Sequence, residues 1–162
     1  MTASRTTAVR TAALLTCAAL CCLGAPAARA AIGSCTVSSS GVAFGTYTPL
    51  QGAPLQSNGT IDIACTAITG RTGITIDLSS GASGSYATRR MTVGASTLSY
   101  NLYFDAAYTQ IWGNGTGGSV EGTARIRRRT PNVTLTVYGA VAAGQDPGPG
   151  GYTDSITVSV NY

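Results

Sequence analysis

Neither His nor Lys occurs anywhere in the 162 residues, and all ten basic side chains are arginine. Imidazole bases and ligands, Ser or Cys nucleophiles activated by His, and lysine Schiff bases are therefore unavailable. The six carboxylates, Asp62, Asp77, Asp105, Glu121, Asp146 and Asp154, are scattered along the chain. A glycosidase pair needs two carboxyls facing one substrate, and no spacing here selects such a pair. Strand polar faces and turns account for all six, with Asp105 and Asp154 placed where a carboxylate bonds local backbone N–H groups. No loop is acidic enough to supply the several oxygen ligands of a Ca²⁺ site. The stretch Gly113-Asn114-Gly115-Thr116-Gly117-Gly118 lacks the lysine and the following helix of a phosphate loop, and reads as a hairpin loop. The one concentrated charge is Arg125-Ile126-Arg127-Arg128-Arg129. It reads either as a contact for an anionic polysaccharide, lipid headgroups or nucleic acid, or as an edge whose arginines discourage strand pairing. No catalytic, cofactor or metal site is expected, and an enzyme is not the expected function.

The elements that must position these groups begin after an N-terminal segment of a different kind. Arg5 and Arg10 precede an apolar run from Thr11 to Leu23, Gly24 and Pro26 break it, and Ala28-Arg29-Ala30 forms a small-x-small cleavage site. Residues 1–30 read as a secretory signal peptide and 31–162 as one exported domain. The competing reading, a membrane span, has 18 uncharged residues between Arg10 and Arg29 with Gly24 and Pro26 among them. Cleavage removes three arginines, so the charge falls from +4 to +1 and gives little reason to expect nucleic acid as a partner. It also removes Cys17, Cys21 and Cys22 and leaves the pair Cys35 and Cys65. An even pair in an exported chain is read as a disulfide; two buried thiols are the alternative.

Across 31–162 the apolar period is two. Ile61, Ile63 and Cys65 form one such face, Ile74, Ile76 and Leu78 another, and Leu98, Tyr100, Leu102 and Phe104 a third. Val133, Leu135 and Val137 follow, and after Asp154 come Ile156, Val158, Val160 and Tyr162. Strands of this kind bury one face and wet the other. Turn clusters separate them at Gln51 to Gly59, Ser79 to Ser85, Gly113 to Gly118 and Gly144 to Gly151. Charged residues are only 10% of the chain and apolar ones 44%, which excludes a disordered chain. Short alternating strands with regular turns predict an all-β sandwich.

Several segments, in order along the chain, resemble the spore coat protein U family, single-domain relatives of archaic chaperone/usher pilus subunits. They are Cys35-Thr36-Val37 with Val42-Ala43-Phe44-Gly45-Thr46-Tyr47; Arg90-Met91; Leu98, Tyr100-Asn101-Leu102-Tyr103 and Asp105 leading to Ile111-Trp112-Gly113-Asn114-Gly115; Val137-Tyr138-Gly139 with Ala143-Gly144-Gln145; and the closing run from Gly151 to Tyr162. The resemblance implies an immunoglobulin-like β-sandwich one strand short, with no enzymatic activity. A periplasmic chaperone, then an outer-membrane usher and a neighbouring subunit, would handle and complete it by donating a strand. It places the acceptor groove between the first and last strands, with Val37, Phe44, Ile156, Val158 and Val160 as its wall. The other reading of these five is the core of a closed sandwich.

A polymerising subunit of this kind carries a longer alternating segment before its first cysteine. Here Ala31, Ile32, Gly33 and Ser34 separate the expected cleavage site from Cys35, a reach of about 14 Å at most. The chain is therefore expected to accept a strand and to sit as a terminal or tip-type subunit of a surface pilus or coat, passing through the periplasm to the cell surface as a structural or adhesive protein. The alternative is a self-complete secreted domain that holds a glycan through Arg125, Arg127, Arg128 and Arg129, Trp112 or the tyrosines. The expected covalent form is a chain that starts at Ala31 with one Cys35–Cys65 bridge. Intact mass before and after reduction and alkylation checks it; retained Cys17, or two thiols alkylated before reduction, contradicts it.

Overall fold

The computed structural model describes residues 32–162; the expected signal segment 1–30, with Cys17, Cys21 and Cys22, lies outside the described residues. Alternation of apolar and polar side chains produces strands at β1 (Ser34–Ser39), β2 (Leu55–Thr66), β3 (Arg71–Leu78), β4 (Arg89–Val93), β5 (Ser96–Tyr103), β6 (Gly122–Arg127), β7 (Asn132–Val141) and β8 (Val158–Asn161). A single 3-10 turn at Gly81–Ser83 interrupts them. They form two antiparallel sheets, of order β1-β2-β7-β5-β4 and β6-β3-β8. The inward faces make one core: Ile61, Ile63 and Cys65 from β2, Ile74, Ile76 and Leu78 from β3, and Leu98, Tyr100 and Leu102 from β5 are all buried. Full burial of one such side chain contributes about 1.5 to 3 kcal/mol.

Cys35 and Cys65 stand directly opposite one another in the β1–β2 ladder and are joined by a disulfide, with Cα atoms 4.0 Å apart. The Cys65 N–H points the other way, to Pro131 O at 3.1 Å, so this is a non-hydrogen-bonded pair, the kind whose side chains approach most closely. The 30-residue separation gives a loop-closure stabilisation of about 3 to 4 kcal/mol on the chain-entropy account.

Three elements differ from the sequence reading. The turn cluster Gln51 to Gly59 ends early, because β2 already begins at Leu55 and pairs with β7 from Leu55↔Val141 onward. The closing strand is shorter than its alternation suggests: Ile156 precedes β8 and makes no ladder pair. The loop Gly113 to Gly118 is not a hairpin. Its ends meet in a parallel bridge, Trp112↔Val120, held by Gly113 N to Val120 O and Val120 N to Ile111 O, both 2.8 Å.

Two side chains fasten the sheets together at one end. Trp112 is fully buried. Its main-chain N–H donates to Leu102 O of the large sheet at 2.9 Å, and its indole Nε1 donates to Ile76 O of the small sheet at 2.8 Å. The Phe104 ring meets the indole edge-on at 5.0 Å between centroids. This burial removes Trp112 from the candidates for holding a glycan.

Arg89 is the second fastener and is 0% exposed. Its Nε and Nη2 donate to Ser79 O at 3.1 and 2.8 Å, Nη2 donates also to Trp112 O at 2.7 Å, and Nη1 donates to Asn101 Oδ1 at 2.7 Å. Every acceptor is a neutral oxygen, and burial pulls the guanidinium below its ordinary pKa. The planar fork reaches Asn101 of β5, Ser79 just after β3 and Trp112 at once, which a single ammonium cannot do. Arg89→Ala should cost about 3 kcal/mol or more, because it empties a fully buried site and takes the Arg89 donors from Trp112 O and Ser79 O, while Asn101 Oδ1 keeps the Leu102 N–H. Arg89→Lys should recover little of this, and the exposed neighbour change Arg90→Ala should stay within about 0.5 kcal/mol. Urea melts of the three variants check the series.

Candidate functional site: an open groove between the sheets

Five strands face three, and two irregular segments cross the gap. The first, residues 40–50, leaves β1 and passes over the inner face of the large sheet. Ser40 N donates to Thr60 O at 3.1 Å, and Thr60 N donates to Ser40 Oγ at 2.9 Å. Further along, Ser57 Oγ donates to Ala43 O at 2.7 Å and Leu50 N to Gln145 O at 2.8 Å. Tyr47 OH donates to Ala142 O at 3.1 Å and accepts from Gln145 N at 2.9 Å.

Two strand-interior glycines permit this close passage. A Cβ on Gly59 would lie 2.0 Å from Gly41 O, and one on Gly139 would lie 2.7 Å from Val42 and 2.8 Å from the Phe44 ring. A glycine inside a strand commonly marks such an approach of backbone to backbone, and this was the signal in the sequence that could have located the wall.

The second segment, residues 147–157, forms the opposite wall. Thr153 exchanges backbone bonds of 2.9 and 3.2 Å with Thr92 on the outer edge of β4. Asp154 Oδ1 accepts from Ala82 N at 3.0 Å and Ser155 N at 2.8 Å, while Oδ2 accepts from the Tyr100 hydroxyl at 2.8 Å. Burial, reinforced by that bond and by the Asp154 charge, pushes the Tyr100 hydroxyl well above the ordinary phenol range. Asp154 thus closes local backbone N–H groups as its sequence position implied, and also ties the crossing to the core. Asp105 does the local task alone, accepting from Thr109 N and Gln110 N, and the bond from Gln110 leads in holding its carboxyl below the usual range.

Between the walls lies an opening of about 280 Å³, floored by Ile61, Met91, Tyr100 and Leu102, with Val42 and Phe44 on one side and Ile156 and Val158 on the other. A second opening of about 640 Å³ adjoins it, sharing Val42, Phe44, Met91 and Tyr152 and extending to Leu98, Val141 and the Pro147–Tyr152 stretch. Asp154 is the one charged side chain lining either, and its oxygens are engaged. Among the described residues, β8 pairs only with β3 and β1 only with β2. Their unpaired edges face the same gap, with Cα atoms approaching within 8 Å. Such an arrangement has one evident chemical capacity: it offers backbone donors and acceptors beside an apolar trough, which suits an extended peptide.

The expected wall residues distribute unevenly. Phe44, Ile156 and Val158 line the opening. Val160 pairs with Ile76 and packs against the core beyond it. Val37 shares the inward face of β1 with Cys35 yet is 41% exposed, outside the lining. Val42, Met91, Tyr100, Leu102 and Tyr152 line the groove without having been singled out as its wall, because a period-two pattern shows which face is inward and not which part of that face is uncovered. Arg125, Arg127, Arg128 and Arg129 are exposed on β6 and the turn after it, at the edge of the small sheet remote from β8.

The fold is that of a two-sheet β-sandwich with an apolar trough between residues 40–50 and 147–157, and comparison with known proteins specifies the family. Residues 23–159 match the Spore Coat Protein U domain, and the chain belongs to that family. It is similar to Protein U of Myxococcus xanthus, 30% identical over 144 residues that cover 80% of this chain and 78% of the relative. Among solved structures it is similar to a chain of the CsuC-CsuE chaperone-tip adhesion subunit pre-assembly complex from archaic chaperone-usher Csu pili of Acinetobacter baumannii, with a TM-score of 0.55 and 22% identity over 80% of this chain. The match spans 39% of that solved chain, and it establishes the fold.

The crossing at Gly59 gives a direct check of the wall. Gly59→Ala should destabilise by about 1 to 3 kcal/mol, because its new methyl group meets backbone that cannot rotate away. Gly73→Ala, where nothing lies within 4 Å of the added carbon, should be neutral or slightly stabilising. Equal urea midpoints for the two variants would contradict the described passage of residues 40–44.

Proposed function

We propose that this protein is an exported structural or adhesive subunit of a surface pilus or coat, and that its groove receives a strand from another chain. The observation that carries the reading is the juxtaposition of an unpaired β8 edge with an apolar opening over the inner face of the large sheet. A donated strand would take backbone bonds from β8 and set alternate apolar side chains over Met91, Tyr100 and Leu102. The first donor would be a periplasmic chaperone and the second a neighbouring subunit delivered at an outer-membrane usher. The family membership and the chaperone–subunit complex among its structural relatives support this order of events. With export cleavage after Ala30, the residues Ala31–Ser34 are shorter than an ordinary strand of five to six residues, so the subunit takes a terminal position and does not polymerise through its own N-terminus.

The test adds synthetic peptides of alternating apolar and polar residues to the purified protein. A peptide at about one hundred times its dissociation constant should stabilise the fold by about 2.7 kcal/mol, read as a rise in melting temperature. Val158→Asp should abolish the rise, since Val158 faces the trough, whereas Thr157→Asp, on the exposed face, should preserve it. A stable monomer that responds to no peptide or chaperone would instead be a self-complete domain, and fibres formed by the protein alone would remove the terminal assignment.

A further inference from the structure

The outward face of the small sheet carries a charge arrangement that strand acceptance does not use. Arg71 on β3 stands directly opposite Arg127 on β6, and Gly73 stands opposite Arg125. All three arginines are exposed. Arg128 and Arg129 form the two-residue turn that follows, closed by paired bonds between Arg127 and Thr130 of 3.0 and 3.2 Å. Like charges directly opposite in a ladder are unfavourable, and here the Arg127 and Arg125 charges together depress the Arg71 pKa. Among the described residues none of the five arginines forms an ion pair with a carboxylate. The carboxylates of this sheet, Asp77 and Glu121, lie toward the other end of the strands. Asp77 is six residues from Arg71, about 20 Å at strand rise and beyond a physiological Debye length of about 8 Å.

We propose that this face is a binding site for a linear anionic polysaccharide bearing carboxylate or sulfate groups, gripped by Arg71, Arg125 and Arg127 and continued onto Arg128 and Arg129. Guanidinium forks match carboxylate and sulfate oxygens in a paired geometry. Arg125 and Arg127 repeat along the strand at about 7 Å, and Gly73 leaves the sheet floor bare across from Arg125, so an extended chain can lie flat on it. The remaining outward residues of β3 and β6 are Thr75, Asp77 and Thr123. These two strands carry no aromatic side chain to stack on a base and no large outward apolar side chain to enter a bilayer, which favours a polysaccharide over single-stranded nucleic acid or membrane. Because β6 and β8 flank β3 on opposite sides, the groove stays free while the polyanion is bound.

The experiment measures affinity of the exported protein for heparin, as the sulfated probe, and for alginate, as the carboxylated one, between about 50 and 200 mM NaCl, the range in which counterion release is readily seen. Neutral dextran, duplex DNA and phosphatidylserine vesicles serve as comparisons. Arg71→Ser, Arg125→Ser and Arg127→Ser combined should reduce the slope of log affinity against log salt by about 2, taking roughly 0.7 per lost contact, and leave the melting temperature unchanged or higher. The turn variant Arg128→Ser with Arg129→Ser, which touches no ladder pair, should reduce the slope by about 1.4 on the same basis and keeps the test readable if the triple variant fails to fold. Preference for heparin or alginate identifies which anion the site takes. Unchanged polysaccharide affinity in both variants overturns the site, as does tighter binding of DNA or vesicles than of either polysaccharide at equal salt. Peptide response in the groove is measured separately, so either reading can fail without the other.

Discussion

The inner face of a five-stranded sheet needs apolar cover, and three strands are too few to provide it. Two irregular segments answer that mismatch. Residues 40–50 and 147–157 leave their sheets and cross the gap, each fixed by side chain to backbone bonds where a ladder would otherwise serve, through Ser40, Ser57 and Tyr47 on one side and Asp154 on the other. Cover remains partial, and Val158, inward on β8, stays half-buried beside the opening. An exposed apolar trough next to an unpaired edge is a liability for a protein alone in solution.

Such an opening is tolerable because the rest of the sandwich is closed firmly. Arg89 and Trp112 carry bonds through the interior, Trp112 from Leu102 of β5 to Ile76 of β3 and Arg89 from β4 to Asn101, Trp112 and Ser79, the residue just after β3. The disulfide ties β1, which among the described residues pairs with β2 alone, to that strand at the Cys35↔Cys65 position of their ladder. These ties fix β1, β3 and β5, each of which contributes a residue to the lining of the opening, and a fixed wall lowers the ordering cost of any ligand that binds there.

Charge is distributed with the same asymmetry. The trough holds one engaged carboxylate, whereas five arginines gather at the far end of the small sheet. The apolar opening and the arginine cluster therefore lie on separate surfaces, with β3 contributing Leu78 to one and Arg71 to the other.

Local pattern by itself determined a great deal. Alternation at Ile61–Cys65, Ile74–Leu78 and Leu98–Leu102 was enough to name the inward faces, because side chains of a strand must alternate whatever its neighbours are. The even cysteine count anticipated the bridge, and the absence of His and Lys removed whole classes of chemistry. What only the tertiary structure decided depended on partners distant in sequence. Arg89 and Arg90 are indistinguishable as neighbours in the chain, and only packing of β4 against Ser79, Asn101 and Trp112 makes one a core residue and the other solvent-exposed. Arg71 joined the basic run solely through the β3–β6 register. Val37 and Val158 share the same inward periodicity, yet one lies outside the trough and the other lines it. Periodicity fixes the face on which a side chain lies; whether that face is covered depends on the order of strands across two sheets, and that order is set by long-range pairing.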